Sequence, residues 1–331
     1  MKRPAKKRFG ILGCLSFLVL MTLIVLAFVF LLAPGRWAFT RKLVRLVTGP
    51  DIRRVTIPEG WNRYQVAMKL QADGIVRAED FLVLTEEPTI LKSLGVEAAT
   101  AEGYLFPDTY QFYAGGSPLT ILKAMTSNFK KKYGELTKKF PSGLDAYEEL
   151  SDDPSQAALI MASIVEGEVV EKTEAPIVAG IFLKRLTDTS FKPHLLQSDP
   201  TVAYGCYAMD PPPPSCEKFD GKLLRSHLND AQNFYNTYVY AGFPPGPICN
   251  PGLSALKAAL SPNMKTRYFY FVARGDGTHQ FSVTLEDHKK AVSRYRRKAE
   301  QAKEPEEKDQ PKEPEEKEEP EPAESPDKPA G

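Results

Sequence analysis

The chain opens with a long apolar run that follows a basic segment. Ile11–Ala33 comprises 23 residues without a charged side chain, and five basic residues lie between positions 2 and 8. As an α-helix with a rise of about 1.5 Å per residue, the run would be about 34 Å long, enough to cross a bilayer. The pattern predicts a transmembrane helix within residues 1–35 and a cytoplasmic N-terminus.

Two other interpretations of this run are weaker. A cleaved signal peptide has a shorter apolar core and small residues at its cleavage site, whereas Pro34-Gly35-Arg36-Trp37 follows the run in this chain. Cys14 after Leu12-Gly13 faintly resembles a lipidation box, but most of the apolar run lies after that cysteine. We therefore interpret the run as an uncleaved membrane anchor.

A small unit of strands and helices is predicted after the anchor, within residues 36–92. Residues 52–57 alternate in part between apolar and polar side chains, which is typical of a strand. Asn62 is a candidate N-cap for a helix that ends at Gly74. Residues 75–76 are then expected to form a second short strand, and residues 78–84 a second helix, which gives a β/α subdomain of order β-α-β-α.

The body of the chain, residues 93–300, is predicted to be a larger mixed α/β domain. Helices are expected over residues 118–136, 155–166, 176–186 and 285–298, where apolar residues recur at helical spacing or a basic segment resumes. Residues 268–273 and 279–284 alternate as strands do and flank Gly275-Asp276-Gly277, a hairpin signal. The predicted fold class is therefore α+β.

Charge is distributed unevenly along the chain. Its net charge is +1, but residues 303–331 hold twelve acids, five lysines and seven prolines, a net charge of −7 (5 minus 12). The remainder therefore carries about +8 (+1 minus −7), which suits contact with an anionic envelope. No motif for nucleic-acid recognition accompanies it. Because the tail has almost no apolar residues, residues 301–331 are predicted to be disordered.

The four cysteines set expectations for disulfides and metals. Cys206 and Cys216 bracket a proline-rich loop, and such a pair can form a disulfide outside the cytoplasm, with free thiols as the alternative. Cys249 is left over, and Cys14 lies in the apolar run. No metal site is predicted, because the chain has neither a CxxC motif nor a paired-histidine spacing.

Glu166 is the candidate catalytic residue. It ends the apolar stretch Leu159–Val165 and precedes Gly167 and Glu168. A carboxyl group on the rim of a hydrophobic helix is costly to ionise, which raises its pKa and lets it hold a proton near neutral pH. General acid catalysis on a glycosidic oxygen requires such a group. The alternative is a helix that ends in solvated glutamates. Glu168 lies about 200° further around the helix and should not share a face with Glu166.

Candidate substrate-binding residues occur in two polar segments. At a predicted helix start, Ser198 or Asp199 caps the helix, and Gln197 can point an amide into a cleft. A loop over residues 236–252 is held in a defined shape by prolines and glycines, and binding groups usually lie on such rigid loops. This loop contributes Asn236, Tyr238 and Asn250. A simple cap for Asp199 and a stiff linker for the loop are the alternatives.

The segment Glu102–Tyr110 is aromatic and rich in turn residues. It is either a structural loop at a domain junction or a wall of a cleft, where aromatic rings stack on sugar faces. On the second interpretation, Glu102 and Tyr104 are further substrate-binding candidates. His279 and His288 are possible catalytic residues, although histidines in strands and helices more often have a local structural partner.

Six sequence segments stand out together. They are EGYLFPDTY at Glu102–Tyr110, ASIVEGE at Ala162–Glu168, VAGIFLKRL at Val178–Leu186, LQSDPTVAY at Leu196–Tyr204, NTY, GFPPGPI and NPG within residues 236–252, and YFVARGDGTHQFS with DH within residues 270–288. In this order they resemble the MltG-type (YceG-like) endolytic murein transglycosylase family. Residues 52–82 are similar to the LysM-like subdomain of that family.

The resemblance implies a single-pass inner-membrane protein with a periplasmic catalytic domain. It implies cleavage of MurNAc–GlcNAc bonds within peptidoglycan glycan strands, which leaves 1,6-anhydro-MurNAc ends, with no cofactor. The family's catalytic glutamate corresponds to the first glutamate of its motif, here Glu166. This residue would protonate the leaving oxygen and then accept the proton of the attacking C6 hydroxyl. Glycan strands, the membrane and peptidoglycan synthases are the implied partners.

This chain departs from the family pattern in three places. Gly167 stands where the family commonly has lysine, so the helix is expected to end near it. The insertion between Cys206 and Cys216 and the acidic tail are additions to the pattern.

Two other function classes were weighed against a glycan-cleaving enzyme. A non-catalytic peptidoglycan-binding scaffold would use the small N-terminal unit to bind murein and would release no anhydro-ended products. A pyridoxal-phosphate lyase needs a Schiff-base lysine in a phosphate-holding pocket, and no such context occurs in the sequence.

Overall fold

The computed structural model describes residues 20–22 and 51–303. The predicted transmembrane helix lies outside these residues except for positions 20–22, and the predicted acidic tail lies outside them after position 303. Within the described ranges, no helix is both long and apolar enough to cross a bilayer.

The described residues form a mixed α+β structure, as predicted. In chain order its elements are β1 Ile52–Thr56, α1 Arg63–Ala72, α2 Ala78–Leu84, α3 Pro88–Ser93, β2 Thr109–Tyr113, α4 Pro118–Lys139, α5 Pro154–Glu168, α6 Ala175–Thr187, α7 Asp199–Ala208, α8 Arg225–Leu228, α9 Leu253–Leu260, β3 Tyr270–Ala273, β4 His279–Ser282 and α10 Leu285–Lys303. The last helix therefore extends to Lys303, slightly into the segment predicted to be tail.

The N-terminal unit is built around an antiparallel pair of strands that are distant in sequence. β1 pairs with β2, with Val55 opposite Tyr110, and α1 to α3 lie between them in the chain. The predicted strand at residues 75–76 is wrong. Gly74 takes a left-handed φ of 65°, and the Ile75 N–H bonds to the Leu70 carbonyl at 2.9 Å. Ile75 thereby lies in the apolar core. The pairing of β1 with β2 crosses the domain boundary that was predicted at residue 92.

Local capping explains where α1 begins. The Asn62 side chain accepts a hydrogen bond from the Gln65 N–H at 2.9 Å, and the Gln65 side chain accepts one from the Asn62 N–H at 3.0 Å. This reciprocal pair satisfies two backbone donors at the start of the helix. The predicted N-cap is therefore confirmed, as is the helix at Ala78–Leu84.

The larger part of the structure is organised around α5. Every residue from Ala157 to Val165 is buried, and α6 and α9 pack against the helix. The helix does not end at Gly167 but continues to Glu168. A Cβ atom on Gly167 would lie 3.0 Å from the Cβ of Pro200. Glycine at this position therefore lets the first turn of α7 approach the end of α5.

The loop after α7 is closed by a disulfide. Cys206 and Cys216 are bonded to each other, whereas Cys249 is a free, buried thiol. Of the two alternatives left open by the sequence, the structure has the disulfide and not the free thiols at Cys206 and Cys216.

Removing this disulfide should destabilise the folded chain. Alanine at both Cys206 and Cys216 should lower the free energy of unfolding by about 2–4 kcal/mol, because the unfolded chain regains the entropy of the open loop. Denaturant unfolding of the purified chain measures the loss. Reductant should lower the wild-type midpoint and leave that of the double variant unchanged. Equal midpoints for the oxidised wild type and the variant would contradict the expectation.

Candidate active site

The two glutamates at the end of α5 lie on different sides of the helix. The Glu166 carboxylate accepts a hydrogen bond from the Gly252 N–H at 2.9 Å. The Glu168 carboxylate accepts one from the Ser198 hydroxyl at 2.6 Å. This separation follows from helix geometry, which places residues two apart about 200° from each other.

Glu166 lies where α5 meets α9 and the loop after β1. Gly252 is the N-cap of α9, where the helix dipole favours a negative charge. A Cβ atom on Gly60 would lie 3.5 Å from the Cγ of Glu166. Burial raises the pKa of Glu166, the Gly252 N–H opposes this shift, and the nearby Glu59 carboxylate adds to it. Glu166 therefore links the end of α5 to the start of α9, beside the loop after β1.

Glu168 lies in the wall of a cavity of about 410 Å³. The cavity is lined by Glu168, Arg185, Gln197, Asp199, Tyr238, Tyr270, Phe271, Val272, Ala273, His279, Leu285 and His288. Three predicted substrate-binding residues, Gln197, Asp199 and Tyr238, are thus brought together around Glu168. The structure does not place them with Glu166, the predicted acid.

The surroundings of Glu168 favour its protonated form near neutral pH. Burial is the main cause and raises the pKa of Glu168 to about 7. The Ser198 hydroxyl opposes this shift, the Asp199 carboxylate adds to it, and the Arg185 guanidinium opposes it. A carboxyl group with this pKa can both donate and recover a proton near neutral pH, as general acid–base catalysis requires.

Arg185 is a buried cation beneath the cavity. Its side chain is 5% exposed, and it donates hydrogen bonds to the carbonyls of Phe269, at 2.8 Å, and Leu196. Burial lowers the pKa of Arg185 to about 10. Arg185 was not predicted as a site residue. The sequence held a signal that it is buried, because Arg185 lies at helical spacing from Ile181 and Phe182 on the buried side of α6.

The other side of the cavity is formed by the start of α7 and the loop that contains Tyr238. The Tyr238 hydroxyl donates a hydrogen bond to the Asp199 carboxylate at 2.6 Å. Gln197 takes a left-handed φ of 56°, and its N–H bonds to the Thr237 carbonyl at 3.1 Å. Such a backbone conformation is uncommon for a residue with a Cβ, and strained residues of this kind cluster at functional sites.

Asn236 shapes the loop that carries Tyr238. It is fully buried, and its amide donates to the carbonyls of His227, Leu228 and Asp230 at 3.0–3.1 Å. Its side-chain oxygen accepts a hydrogen bond from the Tyr238 N–H at 3.0 Å. These protein contacts replace the substrate contact that was predicted for Asn236.

Glu102 and Asn250 form a buried junction between the two parts of the structure. Glu102 accepts hydrogen bonds from the Arg63 N–H and the Asn250 amide, both at 3.1 Å, and from the Tyr204 hydroxyl at 3.0 Å. The Asn250 oxygen accepts a hydrogen bond from the Leu105 N–H at 2.8 Å. Both side chains are at most 1% exposed. The structural interpretation of Glu102–Tyr110 therefore replaces the predicted substrate contacts of Glu102 and Asn250.

Tyr104 lies in another part of the molecule. Its ring packs edge-on against Phe129 at 5.1 Å, and it lines a separate cavity with Tyr133 and Leu159. The prediction that Tyr104 binds the same substrate as Gln197 and Tyr238 finds no support in this arrangement.

The two histidines considered in the sequence both line the Glu168 cavity. His279 has the local partner that was expected, because its Nδ1 lies 2.8 Å from the Glu174 carboxylate. His288 stacks on the ring of Tyr270 at 5.3 Å. Their position beside Glu168 was not foreseen, since it depends on how the hairpin and α10 pack against α6 and α7.

Comparison with known proteins identifies the family. A sequence model of the YceG-like family matches residues 32–294. The chain belongs to the YceG-like family. It is 30% identical over 276 residues to a Bacillus subtilis protein named endolytic murein transglycosylase, a match that covers 78% of this chain and 69% of that protein.

Two further relatives extend the comparison. A Streptococcus pneumoniae protein with the same name is 27% identical over 267 residues, which cover 74% of this chain and 45% of the longer streptococcal protein. The crystal structure of a YceG-like protein from Listeria monocytogenes matches with a TM-score of 0.57 and 31% identity. That match covers 72% of this chain and 75% of the Listeria chain.

The buried junction predicts that Asn250 is required for stability. Asn250→Ala would leave the buried Leu105 N–H without its acceptor and would remove one of the hydrogen bonds to the Glu102 carboxylate. A buried unsatisfied group costs about 1–3 kcal/mol, so the free energy of unfolding should fall by about that amount. Urea unfolding measures this change. Asn229→Ala, at an exposed asparagine, is the control and should leave the midpoint unchanged. Equal midpoints for the two variants would contradict the assignment.

Proposed function

We propose that this YceG-like chain is an endolytic peptidoglycan lytic transglycosylase. It cleaves MurNAc–GlcNAc bonds within glycan strands and leaves 1,6-anhydro-MurNAc ends, which terminates nascent strands. The names of its Bacillus and Streptococcus relatives support this activity. The observation that carries the proposal is the position of Glu168. This carboxyl group has a pKa near neutrality and lies in a cavity with three polar residues predicted to bind substrate.

The proposed reaction uses one carboxyl group twice. Protonated Glu168 donates its proton to the glycosidic oxygen as the bond from that oxygen to the anomeric carbon breaks. The C6 hydroxyl of the same sugar attacks the anomeric carbon and closes the 1,6-anhydro ring. The Glu168 carboxylate accepts the hydroxyl proton, which restores the starting state. Most glycosidases instead need a second carboxyl group to act as nucleophile or to activate water.

The geometry favours Glu168 over Glu166 as this acid. The Gly252 N–H at the N-terminus of α9 donates to Glu166 and opposes the rise in its pKa that burial causes. Burial raises the pKa of Glu168 to about 7. The predicted sugar-binding residues Gln197, Asp199 and Tyr238 also lie around Glu168. This differs from the sequence-based prediction, in which both the apolar stretch before Glu166 and the family resemblance assigned the role to Glu166, the first glutamate of the same motif.

The setting of the enzyme is part of the proposal. Residues 1–35 anchor the chain in the inner membrane with a cytoplasmic N-terminus, and the catalytic part faces the periplasm. The basic N-terminus and the apolar run support this orientation, and the disulfide suits an oxidising compartment. The unit that contains β1 and β2 is proposed to act as a LysM-like subdomain beside the catalytic part. Peptidoglycan synthases are the proposed partners of the whole enzyme.

Two matched variants test the assignment of the acid. Glu168→Gln keeps the shape of the side chain but cannot transfer a proton, so turnover should fall by at least about 100-fold. Glu166→Gln removes charge from the contact with α9 and should mainly lower stability. Muropeptide analysis of digested murein measures the anhydro-ended products, and circular dichroism checks the fold of each variant.

The opposite pattern of activities would assign the role of general acid to Glu166. If folded Glu166→Gln is inactive while Glu168→Gln keeps wild-type turnover, Glu166 is the acid. If the wild-type chain binds murein but releases no anhydro-ended products, the chain is a peptidoglycan-binding scaffold and the enzymatic proposal fails.

The pKa of Glu168 predicts how activity depends on pH. The donor must be protonated, so kcat/KM should fall as the pH rises through about 7. The Asp199 carboxylate helps to raise this pKa. In the Asp199→Asn variant the fall should therefore begin at a lower pH. A pH series of initial rates on glycan strands measures kcat/KM for the wild type and the variant. If kcat/KM of the variant falls over the same pH range as that of the wild type, the assignment is contradicted.

A further inference from the structure

His279 lines the Glu168 cavity and forms a buried pair with the Glu174 carboxylate behind it. His279 is the first residue of β4, and Glu174 precedes the first turn of α6. The Glu174 carboxylate accepts hydrogen bonds from the His279 N–H at 3.1–3.2 Å and lies 2.8 Å from its Nδ1. His279 is 6% exposed, and its ring meets that of Phe271 edge-on at 5.3 Å.

These contacts fix both the orientation and the tautomer of the imidazole. An ionised carboxylate only accepts hydrogen bonds, so Nδ1 carries the proton that is shared with Glu174. In the neutral ring, Nε2 then has a free lone pair. No hydrogen bond joins Nε2 to another described residue, although the side chain lines the Glu168 cavity. The pair therefore offers an oriented acceptor to a molecule in the cavity.

Two carboxylates of the cavity each already accept a hydrogen bond within the protein. Glu168 accepts the Ser198 hydroxyl, and Asp199 accepts the Tyr238 hydroxyl. A glycan presents several hydroxyl and amide donors, each of which loses its water when it enters a cleft and must find an acceptor there. An acceptor held at a fixed angle discriminates strongly against ligands that lack the matching donor.

We propose that His279 is a substrate-binding residue whose Nε2 accepts a hydrogen bond from a hydroxyl or amide donor of the bound saccharide, with Glu174 as its positioning residue. This inference rests on the proposed function, because it takes the cavity to be the glycan site. It adds to that function a specificity contact that neither the acid–base role of Glu168 nor the contacts of Asp199 require.

A purely structural pair would behave differently. In that case Glu174 and His279 would only pin β4 to the segment before α6, and any side chain that bonds to Glu174 would suffice. Asparagine and glutamine separate the two roles. The amide of His279→Asn reaches the position of Nδ1 and keeps the bond to Glu174, whereas that of His279→Gln reaches about the position of Nε2.

The experiment compares full-length wild type, His279→Asn and His279→Gln on soluble, uncrosslinked glycan strands. KM and kcat are measured at neutral pH, and thermal unfolding is followed for each protein. His279→Asn should raise KM at least tenfold, leave kcat within about twofold and unfold near the wild-type temperature. His279→Gln should recover part of the affinity.

Two results would overturn this inference. One is a wild-type KM for His279→Asn. The other is a loss of activity in both variants that follows only their loss of thermal stability. Failure of the proposed function is recognised separately, because the wild-type chain would then yield no anhydro-ended products and Glu168→Gln would not change the digest.

Discussion

The end of α5 is the constraint on which the site depends. A buried helix places Glu166 and Glu168 about 200° apart, so one carboxylate meets the N-terminus of α9 and the other enters the cavity. Gly167 between them lacks the Cβ that would press against Pro200, which lets α7 approach. Asp199 and Ser198, at the start of α7, then influence the protonation of Glu168. The packing of α7 against the end of α5 therefore also determines which groups lie beside the Glu168 carboxyl.

A second buried arrangement joins this site to the N-terminal unit. Glu102 and Asn250 link the start of α1, the aromatic segment and the loop that leads into α9. Burial raises the pKa of Glu102 to about 7. Because the folded-state pKa is above its ordinary value, this group stabilises the fold most fully below pH 4.5, and its contribution is lost as the pH rises through about 7. Ionisation of Glu102 therefore weakens the junction most above about pH 7.

The sequence was informative where the structure is local. The Asn62 cap, the helix at Ala78–Leu84 and the disulfide follow from side chains close together in the chain. The partner of β1 could not be found this way, because Thr109–Tyr113 is brought to it by packing of the intervening helices. The same limit applied to the site. Asn236 and Asn250 were recognised as fixed hydrogen-bonding residues, but only the tertiary structure distinguishes an amide that holds a loop from one that meets a ligand.

The most direct test is a crystal structure of the Glu168→Gln variant with a bound murein glycan fragment. The account predicts that the scissile glycosidic oxygen lies within about 3 Å of the side chain at position 168, the reach of general acid catalysis, with the sugar in the cavity beside Asp199 and Tyr238. A fragment bound beside Glu166 and Gly252, with the Glu168 cavity empty, would contradict it.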